Sequence, residues 1–206
     1  MLPIIRNAVS AIVKFIGTIH WPTKVEISAE QKQHVHDLLV PHYYIILTHR
    51  TNHLSTYFIA LTNLILRGKW GYFSHALMNM EDAVNDGKDF RLIQAVGTGV
   101  EFDTFDDVFN VQGVALLKPK SMALDEWTAV LDKAKSDLGK PYDTLFDLSQ
   151  DQKLSCVELV RNALMGEPDY EKNFANFEAM IAKAKYLTPQ MFYDCEDFEV
   201  LYEVRV

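Results

Sequence analysis

Two cysteines occur in this 206-residue chain, Cys156 and Cys195, and only the first has a setting that suits a nucleophile. The stretch Asp147-Leu148-Ser149-Gln150-Asp151-Gln152-Lys153-Leu154-Ser155-Cys156-Val157-Glu158-Leu159-Val160 puts the Cys156 thiol in the first turn of an amphipathic helix. Unpaired backbone N–H groups and the helix dipole favour an anion there. A thiolate, the nucleophilic form, is therefore expected at a lowered pKa. The same N–H groups can hold the oxyanion of a tetrahedral intermediate. The competing role is that of a small buried hydrophobe, common for free cysteine.

His75 is the candidate base. In Tyr72-Phe73-Ser74-His75-Ala76-Leu77-Met78 a strand would place residues 73, 75 and 77 on one face. A histidine between Phe73 and Leu77 then faces apolar surroundings and must find a partner. It serves either as general base for a thiol or as a hydrogen-bonded core histidine. Gln94 is an isolated polar group in the apolar run Arg91–Val96, and its amide oxygen can fix the tautomer of an imidazole. A surface position on a half-buried strand fits Gln94 equally well. Cys195 lies between Asp194 and Glu196, which disfavour a thiolate, and is expected to be inert. Asp194, Glu196, Asp197 and Glu199 read as a solvated face.

The elements that must position these groups follow from periodicity. Ser28 with Glu30 and Gln31 opens a helix over Ser28–Leu39, which Pro41 stops. Tyr43–Thr48 reads as a buried strand, and Asn52 caps a helix over His53–Arg67 that Gly68 closes. Tyr72–Met80, Arg91–Val96, Gly99–Phe102 and Gln112–Leu117 are short strands between polar or glycine-containing turns. They suggest an antiparallel meander or small barrel. Ala123–Leu138 restores the helical period, Cys156–Leu164 and Phe174–Ala184 are further helices, and Phe198–Val206 alternates as a closing strand. Residues 1–40 read as an amphipathic helical extension and 41–206 as the domain.

A net charge of −8 argues against nucleic-acid binding, which needs a cationic surface. Two cysteines exclude a disulfide framework and point to a reducing compartment, the cytoplasm. No run of about eighteen apolar residues forms a conventional membrane span. In Leu2–Trp21, however, Arg6, Asn7, Ser10, Lys14, Gly17 and Thr18 fall within about a third of a helical wheel, at roughly 100° per residue. Apolar residues fill the remainder. Such a helix packs on the domain, lies in a membrane interface, or acts as a signal or anchor. Peripheral membrane contact through residues 2–19 is thus one candidate partnership. His49 and His53 could pair at i, i+4, yet no acidic or cysteine partner completes a metal site. No cofactor fingerprint occurs: Gly97-Thr98-Gly99 is too short for a dinucleotide motif.

Four segments, in order, resemble the circularly permuted NlpC/P60 hydrolases of the YaeF/YiiX type, which are papain-like amidases. They are Tyr72-Phe73-Ser74-His75-Ala76, Ile93-Gln94-Ala95-Val96-Gly97-Thr98-Gly99-Val100, Gly139-Lys140-Pro141-Tyr142-Asp143 and Ser155-Cys156-Val157-Glu158-Leu159-Val160. The resemblance spans roughly residues 42–165. It implies an α+β, permuted papain-like fold with a small antiparallel barrel or sheet packed against the catalytic Cys helix. His75 precedes Cys156, as permutation requires. By this resemblance Cys156 is the nucleophile, His75 the base, Gln94 the orienting group and Tyr142 an oxyanion partner beside the thiol. Gln94 stands where glutamate is common, and Val157 where serine is. The implied activity is a cysteine hydrolase cutting amide, peptide or acyl bonds through an acyl-enzyme, with acyl transfer or thioesterase chemistry on the same groups. Cell-wall peptides and lipid-linked acyl groups are the candidate substrates. The rivals are a non-catalytic papain-like binding module and a membrane-associated structural protein.

Overall fold

The computed structural model describes residues 19, 25–39, 42–51, 54–80, 91–122, 127–146, 148 and 152–206, with only the backbone of Leu66. The N-terminal segment 2–18, His53 and the start of the helix expected from Ala123 lie outside the described residues. In chain order the elements are α1 (Ala29–Leu39), β1 (Ile45–His49), α2 (Leu54–Arg67), β2 (His75–Met80), β3 (Arg91–Val96), β4 (Gly99–Thr104) and α3 (Phe105–Val108). There follow β5 (Gly113–Pro119), α4 (Trp127–Ser136), α5 (Cys156–Leu164), α6 (Tyr170–Asn173), α7 (Ala175–Ala184), α8 (Pro189–Asp194) and β6 (Phe198–Arg205).

The strands make one six-stranded antiparallel sheet, ordered β4-β3-β2-β1-β5-β6, so β4 and β6 stand at its edges. Alternation along the strands sends side chains to two separate cores. Ile45, Leu47, Ala76, Met78, Ile93 and Ala95 face a large cluster completed by α4, α5, α7 and α8. Ile46, Leu77, Leu92, Val114 and Leu116 face a smaller one completed by α1 and α3. In the large cluster, Trp127 and Phe177 are fully buried and close the helical layer over the sheet.

Three short helices escaped the periodicity. α3 is a single turn, started by Thr104, whose hydroxyl accepts from the Asp107 N–H. α6 is equally short, and α8 begins with Pro189 at its first position. One turn offers too few residues for an apolar repeat to register. The acidic tail is also more structured than a solvated face. Asp194 pairs with Arg67 at 2.9 Å, and Asp197 accepts from the Phe177 N–H at 2.8 Å at the start of α7. No described helix is long and apolar enough to cross a membrane.

Candidate active site

α5 begins where Ser155 and Glu158 form a reciprocal cap. The Ser155 N–H donates to Glu158 Oε2 at 2.7 Å, and the Glu158 N–H donates to Ser155 Oγ at 3.4 Å. This Ser-x-x-Glu signature was readable in the sequence and fixes the helix start, and hence the thiol, at one register. α5 packs on β2 and α4 and buries Cys156, Val157, Leu159, Val160, Ala163 and Leu164.

The thiol meets β2 at a break in the sheet. Strands β2 and β3 pair only from Met78/Ile93 to Met80/Arg91, whereas β3 stays paired with β4 as far as Val96/Gly99. Beyond Met78, therefore, β2 parts from β3. Cys156 lies at the level of that parting, where the backbone N–H groups of Ala76 and Val157 lie close enough to its sulfur to favour the thiolate. The sulfur is one peptide from His75, but no hydrogen bond joins it to the imidazole in this arrangement.

His75 and Gln94 are brought together, with His75 Nε2 2.8 Å from Gln94 Oε1. Both lie on the sheet face of Leu77 and Leu92, opposite the face to which α5 is packed. The expected sharing of one face by residues 73, 75 and 77 does not occur. The strand begins only at His75, and Phe73 turns into the large cluster against Tyr193.

Asp103 extends the chain of contacts and was missed by sequence reasoning. Gln94 Nε2 donates to Asp103 Oδ2 at 2.6 Å, while Asp103 Oδ1 accepts from the Thr104 N–H at 2.8 Å. With its amide nitrogen committed to a carboxylate, Gln94 presents oxygen to the histidine. His75 Nε2 must then carry the proton, leaving Nδ1 to accept one. An amide here accepts from the imidazole and donates to the acid at once, which an ionised glutamate could not. Hairpin register sets Asp103 opposite Leu92 and Glu101 opposite Gln94, on one face.

Charge and burial set the resting state. Burial pushes the Cys156 thiol up to about 11, outweighing the backbone N–H groups, and neighbouring Glu158 adds to the rise. The lowered thiol expected from the helix start is thus reversed by desolvation. Burial likewise brings His75 down to about 4; the Gln94 bond opposes this and the Arg50 charge assists it. The resting pair is a neutral thiol and a neutral imidazole. Arg50 is held by Nη2, which donates to the carbonyls of Asp107 and Val108 at 2.9 and 3.0 Å. Tyr142 lies within electrostatic reach of Cys156, Glu158 and Asp143. Burial and these charges hold its hydroxyl well above the ordinary phenol range, so it stays a neutral donor.

Tyr142 is placed by glycine. The Val100 N–H donates to Lys140 O and the Gly139 N–H to Val100 O, both at 2.9 Å, docking residues 139–141 against the β3–β4 turn. Tyr142 then makes a parallel bridge to Leu154, two residues before the thiol. The Gly97–Val100 and Gly139–Tyr142 motifs are thus two halves of one contact. Cys195, also a free thiol, is buried elsewhere and pushed up to about 11, by burial first. His49 stands on β1, stacked on Tyr72.

The amide at position 94 can be tested directly. Gln94→Glu is expected to raise the His75 pKa, because a carboxylate favours imidazolium, but it sets two acids against each other at Asp103. NMR titration of His75 should show the rise, and Gln94→Glu/Asp103→Asn should recover the stability that the single substitution loses. An unmoved His75 titration would contradict the assigned contact.

No family model and no curated protein matches the chain. Among solved structures it is similar to the metalloprotein YiiX of Escherichia coli O157:H7, described as DUF1105. The TM-score is 0.58 at 15% identity, over 81% of this chain and 99% of that one. The likeness shows the fold alone: an α+β arrangement of the YiiX type. Among the described residues of this chain, no group of three or more His, Cys, Asp or Glu side chains is arranged to hold a metal ion.

Proposed function

We propose that the chain is a cysteine hydrolase in which Cys156 attacks an acyl carbonyl and His75 acts as its base. The single observation that carries this reading is the placement of a helix-start thiol against the Ala76 N–H, one peptide from a histidine oriented by Gln94. Because both groups rest neutral, proton transfer accompanies attack: Nδ1 of His75 takes the Sγ proton as the carbon–sulfur bond forms. The N–H groups at the start of α5 and the Tyr142 hydroxyl are the donors available to the oxyanion. Collapse expels the amine or alcohol with the proton from His75. Water then attacks the thioester with His75 again as base, and the acid and free thiol return. Peptide, amide or lipid-linked acyl bonds are the substrate class, and transfer of the acyl group to another acceptor follows from the same intermediate.

The test is capture of the intermediate with an activated p-nitrophenyl acyl ester, followed by intact-protein mass spectrometry. One acyl group should appear, mapped to Cys156, and be absent from Cys156→Ala. Acylation should rise as His75 loses its proton near pH 4 and stay level through neutral pH, because both groups are then neutral. A tenfold rise per pH unit through neutral pH would contradict proton transfer to His75, since free thiolate would then be the reacting form. Acylation spread over lysines, with none at Cys156, would contradict the proposed function.

A further inference from the structure

Helix α3 is a single turn and cannot hold itself, because fixing one turn of backbone costs more than its few hydrogen bonds return. Its start is tied down by Thr104, whose N–H donates to Asp103 Oδ1 at 2.8 Å and whose hydroxyl accepts from the Asp107 N–H. Its end is tied down from another strand. Arg50 Nη2 donates to the carbonyls of Asp107 and Val108, the last two of the turn, at 2.9 and 3.0 Å. A helix end leaves such carbonyls without an internal partner, and a cation there also suits the helix dipole. Asn110 Nδ2 meets the Asp106 carbonyl at 3.0 Å. Phe105 and Val108 meanwhile anchor the turn in the smaller core, on the sheet face that carries His75 and Gln94.

Arg50 reaches α3 from a fixed place. It lies two residues beyond Thr48, which stands opposite His75 in the β1–β2 ladder. The backbone on either side is held, since the Gln112 N–H donates to His49 O and the Thr51 N–H donates to Gln112 Oε1. The contacts therefore close a ring across four strands. It runs from β1 through Arg50 to the end of α3, and back along the turn to Thr104 and Asp103. From Asp103 on β4 it passes through Gln94 on β3 to His75 on β2, and so to Thr48 again. We propose that Arg50 is a positioning residue for His75, its tether on α3 keeping Asp103 and Gln94 in line with the imidazole.

The assignment rests on the reading of His75 as the base for Cys156, whereas the tie between Arg50 and the imidazole does not depend on it. A merely structural cap would cost stability, and its loss would be felt whatever residue stood at position 75. A positioning residue acts through the imidazole, so its effect on turnover must vanish when the imidazole is absent.

The experiment is a double-mutant cycle between Arg50→Met and His75→Ala in the full chain, read by hydrolysis of the p-nitrophenyl acyl ester. Arg50→Met alone should lower kcat by about 10- to 100-fold, the scale of a small misplacement, with KM little changed. In the His75→Ala background it should alter the residual rate by less than about twofold. Arg50→Lys keeps the charge that the imidazole senses and can meet the same carbonyls, so it should recover part of the loss. Should circular dichroism find Arg50→Met unfolded, Arg50→Lys paired with His75→Ala carries the same cycle. NMR reads the tie without turnover. The His75 Nε2–H proton, in its 2.8 Å bond to Gln94, should be resolved in the unaltered chain and lost to exchange with water in Arg50→Met. Equal losses in the two backgrounds, or a ring proton unmoved by Arg50→Met, would overturn the proposal. A His75→Ala chain as active as the unaltered one would instead remove the hydrolase reading, and the ring proton would then decide whether Arg50 positions His75.

Discussion

Replacing His75 with alanine is expected to lower turnover by about 10²- to 10⁴-fold, the contribution typical of a positioned general base. The expectation rests on the resting protonation states. With the thiol pushed up to about 11 and the imidazole brought down to about 4, both groups rest neutral, and in the proposed mechanism His75 takes the proton during attack. The variant leaves the oxyanion donors intact, since these are backbone N–H groups and Tyr142. Residual activity should therefore rise with pH as hydroxide replaces the missing base, while Cys156→Ala should show none at any pH. Folding is a separate matter. Losing the imidazole strands the Gln94 oxygen, at a cost of about 1–3 kcal/mol. Thermal unfolding of the same samples separates that cost from the chemical loss. Turnover within about threefold of the unaltered chain would remove His75 from the mechanism.

The second large effect falls far from any reacting atom. Gly99 has φ of +127°, and a Cβ there would come within 2.6 Å of the Lys140 carbonyl oxygen. Neither conflict is relieved by moving a flexible side chain, because the obstacle is backbone. Gly99→Ala is expected to cost about 2–4 kcal/mol, combining backbone strain with overpacking. It should also loosen the segment that seats Tyr142, since the Val100–Lys140 and Gly139–Val100 hydrogen bonds lie at the same contact. Denaturant unfolding measures the first effect. For the second, the dependence of acylation on Tyr142 should shrink, so that Tyr142→Phe costs less activity in the Gly99→Ala background. Gly97→Ala serves as control, for its Cβ would meet nothing within 4 Å. Equal stability of the two variants would show that the close approach at Gly99 is not needed.

How far the sequence could be read depended on whether a feature was local. The α5 boundaries, the strand Arg91–Val96 and the start of β6 at Phe198 follow from short-range pattern and stand as expected. Gln94 was legible as an isolated amide in an apolar strand, and its Oε1 lies 2.8 Å from His75 Nε2. Three features were not legible. The parting of β2 from β3 depends on where a ladder stops, which neither strand records alone. The reversal of the thiol pKa depends on how completely α5 is buried, and a helix-start argument counts the N–H groups without that burial. Asp103 matters because hairpin register brings it to Gln94, and register becomes visible only once the turn at Gly97-Thr98 is fixed.

The two thiols supply the most direct measurement of the central claim. Cys156 and Cys195 are 2% and 3% exposed and are both pushed up to about 11, so burial and acidity alone predict equal, slow alkylation. Of the two, Cys156 is the one at the start of a nine-residue helix and one peptide from His75, through Ala76. Peptide-resolved iodoacetamide labelling of the folded chain should therefore show Cys156 reacting at least tenfold faster than Cys195, with His75→Ala removing the difference. Equal rates in the unaltered chain, or a preference that survives His75→Ala, would contradict the account of Cys156 as a nucleophile served by His75.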